Sequence, residues 1–419
     1  LFGPSHLNLP FAEPLFDRAG ELGPTAEVRT TSVSGRLASL GVDDLVSLFG
    51  GETRTIVVLA GEVGRGAGRL ARYAADRGHL VFADPRAMSG VDPMKRLIGF
   101  PDQILRNREV WRQLAPERWV CVGEDFASKV LGEFQAYTVK ELGAQLIRVT
   151  SWLDFYDPRR LATRIIWADV DATEIPCHVP SDQVPDTEWA ARWRRYDHAV
   201  DAALGTYFGA GAPLDEPSLA RGLYRSLGAD DTLMVASSMP IRDVEWFGGI
   251  HPSPPRVFAN RGVNGIDGTL STFTGIVHAR DSHLAGLDAL DVAYLGDLAF
   301  LYDFTALFEL RARRGLIVVP DNNGGAIFSF LPQRATVDGA VFERIFGTPH
   351  DLDIPALCRG LGLEVAVVST RSELEQEVSR ARKDDRLHLA LLASTRSGNV
   401  EVHDRLVSQA VAATERSDR

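Results

Sequence analysis

Asp291-Val-Ala-Tyr-Leu-Gly-Asp297 and Leu316-Ile-Val-Val-Pro-Asp-Asn-Asn-Gly-Gly325 decide the fold. Each is an apolar run closed by a polar turn, Gly296-Asp297 in the first and Asn322-Asn323-Gly324-Gly325 in the second, with one helix's worth of chain between them. A strand, a helix and a second parallel strand bring both loops to one sheet edge, where α/β proteins place their ligands. One carboxylate and one amide oxygen then converge. A hard divalent cation such as Mg2+ takes octahedral oxygen ligands, one or two from side chains and the rest from water and a bound phosphate. Asp297 and Asn322 therefore read as a diphosphate-metal pair. Glycines at 324 and 325 permit a tight turn with a carbonyl aimed inward, where a Cβ would obstruct it. Two solvated turns are the competing reading.

Outward from this pair, strand-like runs alternate with helical stretches, the pattern of parallel α/β sheets. The runs are Thr55–Ala60, Leu80–Ala83, Trp119–Val122, Leu146–Val149 and Ile165–Ala168, then Thr232–Val235, Val292–Leu295, Leu316–Val319 and Leu387–Leu392. A helix rich in Arg, Trp and Ala is expected near 187–208. Residues 12–50 mix Pro, Gly, Thr and Ser with acidic residues and read as a linker. The 419 residues exceed what one core usually supports, and 45% hydrophobic with 24% charged residues is ordinary globular usage. The net charge of -11 argues against a nucleic-acid surface. No run approaches the length needed to cross a bilayer, so a cytoplasmic location is expected. Cys121, Cys177 and Cys358 lack the paired spacing of a zinc or redox motif, and Cys121, inside an apolar run, reads as a buried inert thiol.

Gly61-Glu-Val-Gly-Arg-Gly-Ala-Gly68 invites a dinucleotide-binding reading, because glycines at a helix N-terminus admit a pyrophosphate. After Gly64 and Gly66 the fingerprint needs glycine at 69, where Arg69 stands. A simple tight turn is the expectation.

Asn322-Asn-Gly-Gly-Ala-Ile-Phe-Ser-Phe-Leu-Pro332, taken with Gly296-Asp-Leu-Ala-Phe-Leu-Tyr-Asp303, resembles the diphosphate-binding signature of thiamine diphosphate enzymes. Asn260-Arg-Gly-Val-Asn-Gly-Ile-Asp-Gly268, Ser237-Ser-Met-Pro-Ile-Arg-Asp243 and Ile345-Phe-Gly-Thr-Pro-His350 narrow the resemblance. They look like the 2-succinyl-5-enolpyruvyl-6-hydroxy-3-cyclohexene-1-carboxylate (SEPHCHC) synthases of menaquinone biosynthesis. The likeness is strongest over 230–350 and weaker, though collinear, over 55–170.

The resemblance implies two doubly wound parallel-sheet α/β domains: a central domain at 25–190, and a linking helix with the diphosphate-binding domain at 191–419. Leu1-Phe-Gly-Pro-Ser-His-Leu-Asn-Leu-Pro-Phe11 resembles the segment that closes the family's first domain. Residues 1–24 are thus expected to be the tail and linker of a pyrimidine-binding domain, which in the family supplies the activating glutamate. The implied cofactors are thiamine diphosphate and Mg2+ (or Mn2+), the metal held by Asp297, Asn322 and the Gly324 carbonyl. Gly296, Leu298, Ala326, Ile327 and Phe328 complete the cofactor seat, and Ile266 props the cofactor into its bent form.

The implied reaction is decarboxylation of 2-oxoglutarate followed by 1,4-addition of the resulting carbanion to isochorismate. Both substrates are dicarboxylates, and Arg offers a planar cationic fork for a carboxylate. Arg242 and Arg261 match family positions with that role, Ser238 matches a serine near the second substrate, and Lys129 aligns with a substrate-proximal lysine. Family members form their sites between subunits, so a homodimer or homotetramer is expected of the whole enzyme. Two alternatives stay open: another thiamine diphosphate 2-oxoacid decarboxylase, and a non-catalytic cofactor-binding fragment.

Overall fold

The computed structural model describes residues 38–91, 96–151, 157–175, 187–209, 211, 213–261, 265–283 and 289–418. The expectations for residues 1–24 and for Cys177 lie outside them. Among the described residues stand two six-stranded sheets, all of whose pairings are parallel. The first holds β1 (Thr55–Ala60), β2 (Leu80–Ala83), β3 (Leu97–Ile98), β4 (Arg118–Gly123), β5 (Gln145–Thr150) and β6 (Arg164–Trp167), in the order β3-β2-β1-β4-β5-β6. The second holds β7 (Thr232–Val235), β8 (Arg256–Phe258), β9 (Asp291–Tyr294), β10 (Gly315–Asp321), β11 (Val365–Val367) and β12 (Leu387–Ala393). Its order is β11-β12-β10-β9-β7-β8. Every strand-like run expected from the sequence is a strand.

Parallel sheets are covered on both faces, so their central strands are apolar without a break. Alternate side chains divide accordingly. Ile56 and Val58 join a core with Trp119 and Phe134, while Val57 and Leu59 join one with Leu70 and Val120. In β10, Leu316 and Val318 face the core of Leu233 and Tyr294, and Ile317 and Val319 face that of Met234 and Phe300. The expected helix spans Glu188–Tyr207 and buries Trp189, Trp193, Tyr196, Val200 and Leu204 on one stripe. After β12 the chain returns in the long helix Arg396–Ser417, whose Leu406 and Ala410 enter the same core as that stripe. The second sheet's last helix is thereby packed with the first sheet's core. No helix among the described residues is long and apolar enough to cross a membrane.

The linker expectation is corrected at its end. Val42–Phe49 is a helix, because Leu45, Leu48 and Phe49 recur at helical spacing and are buried against the first sheet. The Gly61–Gly68 stretch is a packing device. An added Cβ would meet Asp171 Oδ2 at 1.8 Å from Gly64, Val170 O at 2.2 Å from Gly66 and Gly90 O at 1.7 Å from Gly68. The Gly66 N–H at the helix start donates to Asp171 Oδ1 at 2.5 Å, so a protein carboxylate takes the place a pyrophosphate would need. Cys121 is buried, and burial pushes its thiol up to about 12, as befits an inert core cysteine.

Glu245 joins the two halves. It is buried, its Oε2 accepts from Ala127 N–H at 2.8 Å, and its Oε1 has no partner among the described residues. Burial raises its carboxyl from 4.5 to about 8. The folded chain then holds a proton that the unfolded chain releases, so stability falls as pH rises between those two values, by at most about 1.4 kcal/mol per pH unit. In thermal melts from pH 5 to pH 8.5, Glu245→Gln is expected to flatten this decline. Parallel curves for the two proteins would contradict the assignment.

Candidate diphosphate-metal site

β9 and β10 are neighbours, with Leu316 opposite Val292 and Val318 opposite Tyr294, so their carboxyl ends open side by side. Asp297 and Asn322 meet there. Asp297 is buried and gathers the loop around itself: Oδ1 accepts from Leu298 N–H at 2.6 Å, and Oδ2 from Asn322 N–H at 3.1 Å and Gly324 N–H at 2.9 Å. Burial raises its carboxyl above the usual range, while the Gly324 and Leu298 N–H groups pull it back. Asn322 is buried beside it. Its Nδ2 donates to Glu216 Oε1 at 3.0 Å, and its Oδ1 is buried with no partner among the described residues. An orphaned amide oxygen next to a carboxylate suits a hard cation.

Gly324 holds φ +136, a conformation L side chains rarely adopt, and a Cβ there would lie 2.1 Å from Gly347 O. The turn is latched to the segment after it. Gly325 N–H donates to Gly347 O at 2.8 Å, and Asn323 Oδ1 accepts from the N–H groups of His350 and Asp351, each at 2.9 Å. Around this loop Gly296 caps the helix Asp297–Tyr302, Ala326 is buried and Ile327 is half-buried. Phe328 packs on Phe346 at 5.7 Å between ring centroids, and Ile266 packs on the core of Met234 and Ile317.

His350 and Asp321 were not among the site residues expected from sequence. His350 Nε2 lies 3.4 Å from both Asp297 Oδ2 and Asp321 Oδ1, a trio whose residue types can hold a metal ion only when that ring nitrogen carries no proton. Leu352 N–H donates to His350 Nδ1 at 3.1 Å, which places the ring proton on Nε2, pointing at the carboxylates. His350 thus acts as a donor that steadies Asp297. The Ile345–His350 run was the available signal, but it carries no spacing that ties His350 to Asp297.

The loops after β7 and β8 adjoin. Ser237 Oγ donates to Asn260 O at 2.7 Å. Ser238 has φ 79, uncommon for a residue with a side chain, and its carbonyl accepts from Arg242 Nη1 at 2.5 Å. Burial lowers the guanidinium of Arg261, and neighbouring Arg86 and Arg242 lower it further. Arg261 Nη1 is buried with no partner among the described residues. The two arginines are therefore brought together, one with an unspent donor. Lys129 is not gathered with them: its side chain is 88% exposed and pairs with Glu133 at 3.7 Å. A cavity of about 400 Å³ lies between the sheets, walled by Arg86, Gly123 and Glu124 on one side and Met234, Asn260 and Thr272 on the other.

The chain is 31% identical to the SEPHCHC synthase of Rubrobacter xylanophilus over 421 residues, spanning 97% of this chain and 70% of that one. The chain belongs to the SEPHCHC synthase family. It is also 34% identical to the synthase of Kineococcus radiotolerans over 88% of this chain and 62% of that one. With the Synechococcus elongatus synthase the identity is 32% over 68% of this chain and 46% of that one, so the match spans under half of that relative. No protein-family model matches the chain. Among solved structures, an enzyme from Mycobacterium smegmatis described as thiamin diphosphate-dependent superposes with TM-score 0.54 at 19% identity, over 88% of this chain and 67% of that one. It shows that the α/β fold is shared.

Proposed function

We propose that the chain carries the diphosphate-metal half of a SEPHCHC synthase site, where 2-oxoglutarate loses carbon dioxide and the remaining acyl unit adds 1,4 to isochorismate. The observation that carries this reading is the buried Asn322 Oδ1, without a partner among the described residues, next to the Asp297 carboxylate. Asp297, Asn322 and the Gly324 carbonyl would hold Mg2+ (or Mn2+), and through it the diphosphate. Thiamine diphosphate, when bound, supplies an electron sink for the charge left by departing carbon dioxide.

The chain's own residues would do the rest. Ile266 would support the cofactor, and half-buried Ile327 with Phe328, itself 38% exposed, would offer apolar surface beside it to help guard the reacting carbon from stray protons. Arg242 is held by the Ser238 carbonyl, and Arg261 Nη1 is buried without a partner among the described residues, which supports a role for both in meeting substrate carboxylates. Exposed Tyr302, Phe308 and Ile345 on the same half support assembly with another protein surface, as a homodimer or homotetramer.

Arg261→Ala and Arg242→Ala test the substrate assignment. A charge-assisted hydrogen bond contributes about 1.5–3 kcal/mol, so each variant is expected to raise KM for one of the dicarboxylates roughly 10-fold to 100-fold. Turnover of a monocarboxylate such as pyruvate should change little. Unchanged KM values for both dicarboxylates in both variants would contradict the assignment.

A further inference from the structure

An amide presents an oxygen and a nitrogen of nearly the same shape, so an asparagine serves a cation only if something decides which atom faces it. Around Asn322 that decision falls to Glu216. Glu216 opens the helix Glu216–Ser226 and is 3% exposed. Its Oε1 accepts from Asn322 Nδ2 at 3.0 Å and from Ser394 Oγ at 2.8 Å, and its Oε2 accepts from Asn399 Nδ2 at 2.8 Å. These donors come from three places: the β10 loop, the turn after β12 and the helix Arg396–Ser417. With Asn322, Ser394 and Asn399 all donating to it, the Glu216 carboxyl serves them as an acceptor, and the Asn322 nitrogen is the atom turned toward it. The oxygen is left on the other branch, buried and without a partner among the described residues.

We propose that Glu216 is a positioning residue that locks the Asn322 amide with its oxygen offered to the divalent cation. This rests on the metal-site reading above. Glu216 would never touch the metal. It would act through Asn322, with Ser394 and Asn399 fixing the carboxylate in turn, as outer partners of metal ligands do.

The test is Mn2+ affinity of the 419-residue chain in the presence of thiamine diphosphate, read from the electron paramagnetic resonance of free Mn2+. Melting curves report whether each variant is folded. Glu216→Met removes the acceptor and frees the amide to turn, with an expected loss of about 10-fold to 100-fold, the range for such outer partners. Glu216→Gln keeps an acceptor toward Asn322, while Asn399, whose Oδ1 has no partner among the described residues, can turn to meet the new amide. It should stay within about 3-fold of wild type, a small change against that range. Asn322→Asp carries oxygen on both branches and needs no orientation, so it should restore affinity in the Glu216→Met background.

Wild-type affinity in folded Glu216→Met, or no rescue by Asn322→Asp, overturns the proposal. If Glu216→Met does not fold, Glu216→Asp, which withdraws the acceptor by one methylene, takes its place under the same criteria. Unchanged affinity in Asn322→Ala would instead overturn the metal-site reading itself.

Discussion

Asp297→Ala is expected to abolish Mg2+-dependent binding of thiamine diphosphate. The carboxylate is both the only charged group in the assigned ligand set and the acceptor for the N–H groups of Leu298, Asn322 and Gly324. Loss of an outer partner already costs metal sites about 10-fold to 100-fold, so loss of the ligand should exceed about 100-fold. The orphaned buried N–H groups add about 1–3 kcal/mol each to the cost of keeping the loop in place. Calorimetric titration with cofactor, in Mg2+ and in EDTA, reads this directly. Tight Mg2+-dependent binding by the variant would remove Asp297 from the site.

Gly324→Ala has the second largest expected effect. At φ +136 an L side chain is strained, and the added carbon would sit 2.1 Å from the Gly347 carbonyl, which is backbone and cannot swing aside. Either the Gly324 N–H to Asp297 bond breaks or the 343–351 segment moves, and with it His350. Backbone strain of this kind costs on the order of 1–3 kcal/mol before the steric overlap is counted. Cofactor affinity is expected to fall about as far as in Asp297→Ala, with a lowered melting temperature. Gly339→Ala, where an added Cβ meets nothing within 4 Å, should leave cofactor binding unchanged. Normal binding by Gly324→Ala would show that the loop does not need this conformation.

The central strands were legible because their two buried faces demand unbroken apolar runs, as in Thr55–Ala60 and Leu316–Val319. The strands not foreseen, β3, β8 and β11, are edge strands of two or three residues, too short to carry such a run. The meeting of Asp297 and Asn322 was legible for a topological reason: a strand, a helix and the next parallel strand commonly lie side by side, and β9 and β10 do pair, which puts their end loops together. Glu216 and His350 reach the same loops from 106 and 53 residues away, across packing that no local pattern records. The helix at Val42–Phe49 was hidden by the Gly- and Ser-rich stretch before it. The assignment of Lys129 rested on alignment alone, and its side chain lies in solvent.

The most direct test of the proposed activity is isochorismate-dependent consumption of 2-oxoglutarate. The 419-residue chain, with thiamine diphosphate and Mg2+, would be assayed with and without an added pyrimidine-binding domain from a related synthase. Carbon dioxide release that requires isochorismate, with SEPHCHC formed in step in at least one of the two assays, is the expected result. Carbon dioxide release indifferent to isochorismate would identify a simple 2-oxoacid decarboxylase. No turnover, with cofactor bound and the added domain shown to associate, would contradict a catalytic role.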